Sequence, residues 1–265
     1  MLKKILSSIL LCALLIPTLA SCGKRVEKRM AKAEEYITSN PYVVSVSVDF
    51  TADEGVSAIF DEISSSKTVA YFRGANYYAE NESVINIGED VYQFKNRYTS
   101  INGVLYKATS HAENEIKTEE SKSFAEIDAS ASLGLAHKLC FIGGVDTDGF
   151  AEVTELDHGK KAVTVLYENA SDDVKLALEE MMHFLSERVF DSVKAERATL
   201  TVSVEKNKYS TAFVECDYVV TLGDVSYAVT AHVTLSFDYG ERFDVYHPDD
   251  ADEYGKTSLE NLLPT

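Results

Sequence analysis

Four cysteines and six histidines carry most of the chemistry this chain could do. Cys12 falls inside an apolar leader, and Cys22 stands directly behind it, after Leu19-Ala20-Ser21. Cys140 and Cys216 are isolated. Outside the cytoplasm such a pair can form a disulfide. Two small buried apolar side chains are an equal reading. Their spacing matches no zinc pattern, and no metal is assigned. The histidines, at 111, 137, 158, 183, 232 and 247, are scattered, with none at i,i+4 from another. His232 reads as a solvated residue on the polar side of a strand. There is no G-x-S-x-G elbow and no phosphate-binding glycine loop. No catalytic residue follows from this pattern, although residues far apart in sequence can still converge. Asp146-Thr147-Asp148-Gly149 lacks the sixth-position glycine and closing Glu of a calcium loop, and reads as a turn.

The leader explains Cys22. Lys3 and Lys4 are followed by a nearly unbroken apolar run from Ile5 to Ile16, then Pro17 and the small residues Ala20 and Ser21. That is the plan of a secretory signal. The run is too short to cross about 30 Å of hydrocarbon as a helix. Leu19-Ala20-Ser21-Cys22, followed by Gly23, resembles a bacterial lipobox. The resemblance implies a diacylglycerol thioether on Cys22, cleavage before it, and a mature chain held on the extracytoplasmic face of a bacterial cell membrane. The covalent lipid is the only non-protein group implied, and no cofactor is expected.

Without residues 1–21 the chain keeps 244 of its 265 residues, enough for one large domain or two small ones. The formal charge of −18 becomes −20 when Lys3 and Lys4 leave. Such a chain disfavours nucleic acid and anionic lipid surfaces, and the membrane is reached through the lipid alone.

The elements follow from periodicity. Residues 22–35 read as a lipidated tether entering a helix with Val26, Met30, Ala33 and Ile37 on one face. Val44, Val46, Val48 and Phe50 alternate with polar residues, as in a half-buried strand. Short β-runs then follow one another to residue 109. Turns are expected at Gly74, Asn81-Glu82, Gly88, Lys95-Asn96 and Asn102-Gly103, the last being the strongest hairpin signal. Asn81-Glu82-Ser83 also fits a glycosylation pattern and reads as a surface turn. Residues 110–122 read as a loop. Phe124, Ile127, Ala131 and Leu135 suggest a second helix. Gly143-Gly144 and Asp148-Gly149 mark a boundary near 143–150 between two loosely similar halves. A hairpin crosses His158-Gly159. Ser171 caps a third helix with Val174, Leu178, Met181, Leu185 and Val189 on one face. Three strands end the domain, with Val225, Tyr227, Val229, Ala231, Val233, Leu235 and Phe237 on one side of the last long one. Phe243–Tyr246 reads as a final short strand, and 255–265 as a tail.

Three stretches resemble the LolA/LppX-like lipoproteins, including uncharacterised Gram-positive members. They are Tyr71-Phe72-Arg73-Gly74-Ala75-Asn76-Tyr77-Tyr78, Asn102-Gly103-Val104-Leu105-Tyr106-Lys107, and the ending from Phe237-Asp238-Tyr239-Gly240 to Pro248-Asp249-Asp250-Ala251-Asp252. The resemblance spans most of 36–254. It implies an α+β fold, an antiparallel β half-barrel (a curved open sheet) with about three helices against its concave face. It also implies an apolar ligand, a lipid or acyl chain, held between sheet and helices. Tyr227, Val229, Val233 and Leu235, with Met181 and Met182 above them, are the residues that would line such a site. The same residues would equally build a closed core. The chain would then be a membrane-tethered interaction or sensing module whose protein partner the residues do not identify. A hydrolase assembled only in three dimensions is the third reading.

Overall fold

The computed structural model describes residues 26–37, 39–52, 63–87, 90–139, 147–158, 162–185, 190–240 and 244–262. The leader, Cys22, Cys140 and Gly143-Gly144 lie outside them.

One antiparallel sheet organises the chain. In order it comprises β1 (Tyr42–Ala52), β2 (Ile63–Arg73), β3 (Asn76–Ile87), β4 (Asp90–Ile101), β5 (Val104–Glu113) and β6 (Ile116–Glu126). The second half adds β7 (Phe150–His158), β8 (Ala162–Ala170), β9 (Ser192–Glu205), β10 (Lys208–Leu222) and β11 (Val225–Asp238). A two-residue β12 (Gly255–Lys256) pairs parallel with β6. The spatial order is β12-β6-β5-β4-β3-β2-β1-β11-β10-β9-β8-β7, so the sheet is open, a half-barrel and not a closed one. Helices α1 (26–37), α2 (Ala129–Leu139) and α3 (Asp172–Leu185) cover one face, and a short α4 (Leu259–Leu262) follows β12. Among the described residues no helix is long and apolar enough to cross a membrane.

Alternation selects the covered face. Val44, Val46 and Val48 of β1 are buried, as are Val229, Ala231, Val233 and Leu235 of β11 and Leu200, Val202 and Val204 of β9. Each Val or Leu withdrawn from water contributes about 1.5–3 kcal/mol. The helices add Val26, Met30 and Ala33 from α1, Leu135 and Ala136 from α2, and Val174 and Leu178 from α3 to the same core. Helix α1 therefore packs on the core from Val26 onward.

Polar links set the helices on the sheet. The Arg29 Nη1 donates to the Ala162 carbonyl at 2.8 Å. Ser100 and Ser132 share a buried hydroxyl bond of 2.5 Å. The Tyr218 hydroxyl donates to the Leu178 carbonyl at 3.1 Å. The β9–β10 register slips between Asp217 and Tyr218, and near this bulge the Ala195 N–H donates to Glu179 Oε1 at 2.9 Å. Gly149 accepts the Ser171 N–H at 2.7 Å, and a Cβ there would stand 2.2 Å from Val174 Cγ2. A larger residue at 149 would require the Val174 side chain to shift. The Ser171 hydroxyl caps that turn, accepting the Val174 N–H at 3.3 Å.

Several expected boundaries move. Neither Asn81-Glu82 nor Lys95-Asn96 is a turn, because β3 and β4 run straight through them. Asn81 and Asn96 are cross-strand partners facing the covered side, and Asn81 Nδ2 donates to Thr68 Oγ1 at 3.0 Å. A buried asparagine with a partner costs little, so it does not break a strand. Residues 110–122 are strand and not loop. Asn114 and Glu115, both at positive φ, make the tight turn between β5 and β6. Phe124 belongs to β6, and α2 starts only after Asp128, whose Oδ1 accepts the Ser130 and Ala131 amides at 2.9 Å each. Residues 244–246 form no strand, and 255–262 are docked by β12 and the buried Leu262.

Replacing Tyr218 by Phe removes one buried hydrogen bond between sheet and α3. It should lower the unfolding free energy by about 1 kcal/mol in a urea titration, with an unchanged slope.

Candidate functional site

The expected ligand residues all belong to the one core that runs along the covered face of the sheet. Met181 and Met182 of α3 and Val229, Val233 and Leu235 of β11 belong to one packed cluster, each 3% exposed or less. Tyr227 sits half-buried at its margin. The alternation along β11 and the Leu178-Met181 spacing on α3 place them there. Cys216 is a free buried thiol in the same cluster, and Cys140 lies outside the described residues. Burial pushes the Cys216 thiol up to about 12, far from the range in which a thiolate forms.

Other chemistry lies on the opposite face of the sheet. His232 stands there between Glu215, whose Oε2 is 3.5 Å from Nδ1, and Thr51, whose Oγ1 is 3.3 Å from Nε2. The strand registers set further outer rows in the N-terminal half. Tyr71, Tyr78, Thr99, Tyr106 and Phe124 are successive cross-strand partners on β2 to β6. The next row runs Glu80, Arg97, Ala108 and Lys122.

The segment 244–254 crosses these rows as a strap. One end is tied by an ion pair between Arg73 and Asp244. The other is tied by Lys122, whose ammonium is 2.6 Å from Asp250 and also pairs with Glu253. His247 and Tyr254 meet the Tyr106 ring edge-on, at centroid distances of 5.7 and 5.4 Å. Between the ties the strap arches over Tyr71, Tyr78, Arg97 and Thr99, leaving an open cleft of about 750 Å³. A second cleft of similar size lies between the start of α3 and β9, lined by charges of both signs such as Asp172, Lys175 and Lys194. The cluster of Met181, Met182 and β11 lines neither.

The charges in the strap cleft are mostly answered. Burial works against the Glu80 carboxylate, but hydrogen bonds from Lys95 and Tyr78 outweigh it and hold the group below its ordinary value. The Tyr78 hydroxyl donates to Glu80 Oε2 at 2.7 Å, and burial with that bond keeps it protonated. The Lys122 hydrogen bond holds the Asp250 carboxyl below its ordinary value. Hydrogen bonds to Asp250 and Glu253 hold Lys122 above its own. Among the described residues Arg97 makes no hydrogen bond or ion pair. Sequence reading missed this site, since its floor and roof come from distant stretches. Among the described residues no three metal-ligating side chains gather.

No family model matches the chain, and no curated protein matches it. Solved structures that resemble it include a β-barrel-like protein of the domain of unknown function DUF1849 from Brucella abortus. That likeness has 12% identity and a TM-score of 0.33, over 76% of this chain and 99% of that one. Another is an inactive mutant of the CurK dehydratase, at 6% identity and TM-score 0.16, over 80% and 81% of the two chains. No residue role is carried over from either.

Two outcomes check this geometry. Asp250 has a depressed folded pKa, so its contribution is complete above 3.8 and fades as pH falls below it. Lys122 has a raised one, so its contribution is complete below 10.5 and fades as pH rises beyond. Hydrogen exchange of 244–254, corrected for intrinsic rates, should stay slow between these limits and accelerate below pH 3.8 before the central strands do. In peptide mapping, Cys216 should resist thiol reagents in the native protein and react fully in denaturant.

Proposed function

We propose that the protein is a lipid-anchored extracytoplasmic binding protein without a catalytic role. The diacylglycerol on Cys22 tethers it to the bacterial cell membrane. Two acyl chains hold stably where one holds marginally, at about 0.8 kcal/mol per buried methylene. The LolA/LppX-like resemblance belongs to the same reading, as an open sheet with helices on one face.

The packing of the core decides where binding occurs. Met181, Met182, Val229, Val233 and Leu235 are filled in by their own neighbours. That supports a closed interior and an interaction module that recognises its partner on the outside. The second reading, an apolar ligand between sheet and helices, is favoured by the Met181-Met182 pair. Unbranched thioether side chains repack readily and could yield to an acyl chain.

Mass spectrometry of lipids extracted from the purified full chain separates the two. The closed-core reading expects covalent lipid at Cys22 and no stoichiometric non-covalent lipid. A reproducible bound lipid would transfer the conclusion to the carrier reading. Cys22→Ala should abolish acyl labelling and release the protein from the membrane fraction. Retention there would remove the anchor from the account.

A further inference from the structure

The strap cleft has features that tethering a C-terminus does not require. Its two ends are pinned by ion pairs, Arg73 with Asp244 and Lys122 with Asp250. Strap and sheet together line a space of about 750 Å³, within the range of small-molecule sites. Three of the acids around it have cations, Asp244 with Arg73, Asp250 with Lys122 and Glu80 with Lys95, whereas Asp249 has none among the described residues and is left to accept from hydroxyls. Arg97 in the floor makes no direct ion pair among the described residues, although its charge also acts on Glu80, its cross-strand partner, and on Asp250. Its planar fork presents donors that match a carboxylate or phosphate in bidentate fashion.

The walls restrict the rest of the ligand. Tyr71 and Tyr78 offer adjoining rings at 6.1 Å, tilted by 47°, and Tyr246 and His247 line the strap side of the cleft. Hydroxyl and carboxylate oxygens of Thr99 and Asp249 interrupt these rings. A flat hydrocarbon would leave those oxygens dry and without partners, which is costly. A pyranose meets both demands. Its C–H face lies on an aromatic ring, and its edge of hydroxyls donates to and accepts from the polar groups between.

We propose that the cleft beneath the strap binds an acidic saccharide, with Arg97 taking its carboxylate or phosphate and the tyrosine rings carrying the sugar face. The inference rests on the reading of the chain as a binding protein with external recognition. It does not depend on the anchor at Cys22.

Calorimetric titration of the purified full chain with cellobiouronic acid, a hexose phosphate, cellobiose and inorganic phosphate tests it. Tyrosine emission gives a second readout, because the chain has no tryptophan. At least one acidic sugar should bind at least about tenfold tighter than cellobiose, and Arg97→Gln should remove that advantage with an unchanged thermal midpoint. Binding should shift the ring resonances of Tyr71, Tyr78 and Tyr246 in the unmutated protein, a measurement independent of how the variant folds. Absence of binding at millimolar concentration overturns the proposal, as does equal affinity for cellobiose. Inorganic phosphate binding as tightly as the hexose phosphate marks a plain oxyanion site and also overturns it. So does an unchanged affinity in Arg97→Gln. Any of these failures leaves the lipid-extraction result and Cys22 acylation as they were.

Discussion

The pairing of β1 with β11 is the constraint on which the rest depends. It runs from Val43 opposite Asp238 to Ala52 opposite Val229 and joins the first half of the chain to the last. Its covered side is apolar, with Val46 across from Leu235 and Val48 across from Val233. Its outer side is hydroxyl-rich, with Ser45 across from Ser236 and Ser47 across from Thr234. A slip of one residue would exchange these two faces, so the register is firmly specified. Without the seam, β1–β6 and β7–β11 would be two separate sheets, each with an additional exposed edge.

The seam also gives the two faces their different uses. Helices α1, α2 and α3 all settle on the apolar side, where one continuous core excludes water. The outer side is left for polar chemistry. There the C-terminal segment returns across β2–β6, ending in β12 beside β6, and covers that edge of the sheet. Lys122 is central to this return, since it holds the strap through Asp250 and Glu253. The opposite edge, β7, is protected differently, by Glu152, Glu155 and Asp157 and by a register shift near its end. The proposed attachment through Cys22, the formal charge of −18 and the outward-facing cleft are mutually consistent with the proposed recognition outside the cell.

Much of this was legible where one physical signal dominated. The alternation from Val225 to Phe237 predicts a one-sided strand, and β11 buries Val229, Ala231, Val233 and Leu235. Ser171 is readable as a helix cap and Asn102-Gly103 as a hairpin turn, since both act through bonds within a few residues. The misreadings have a common cause, which is that tertiary pairing overrode local preference. Asn81 and Asn96 look like turn residues until each is seen opposite the other within the sheet. Residues 110–122 look like a loop because the ends of β5 and β6 reach beyond the core and carry polar side chains. The strap cleft was illegible for a stronger reason. Arg97, Tyr78 and His247 become neighbours only when a non-local return path lays the strap over the meander, and no spacing in the sequence encodes that path.

Hydrogen exchange followed strand by strand tests the central claim most directly. Strands β1 and β11 should exchange together and slowest, only through global unfolding, while the edge strand β7 should exchange through local opening. Exchange of β1 and β11 as fast as β7, or independent opening of the β1–β6 and β7–β11 halves, would contradict a sheet held together by the seam of Val46 with Leu235 and Val48 with Val233.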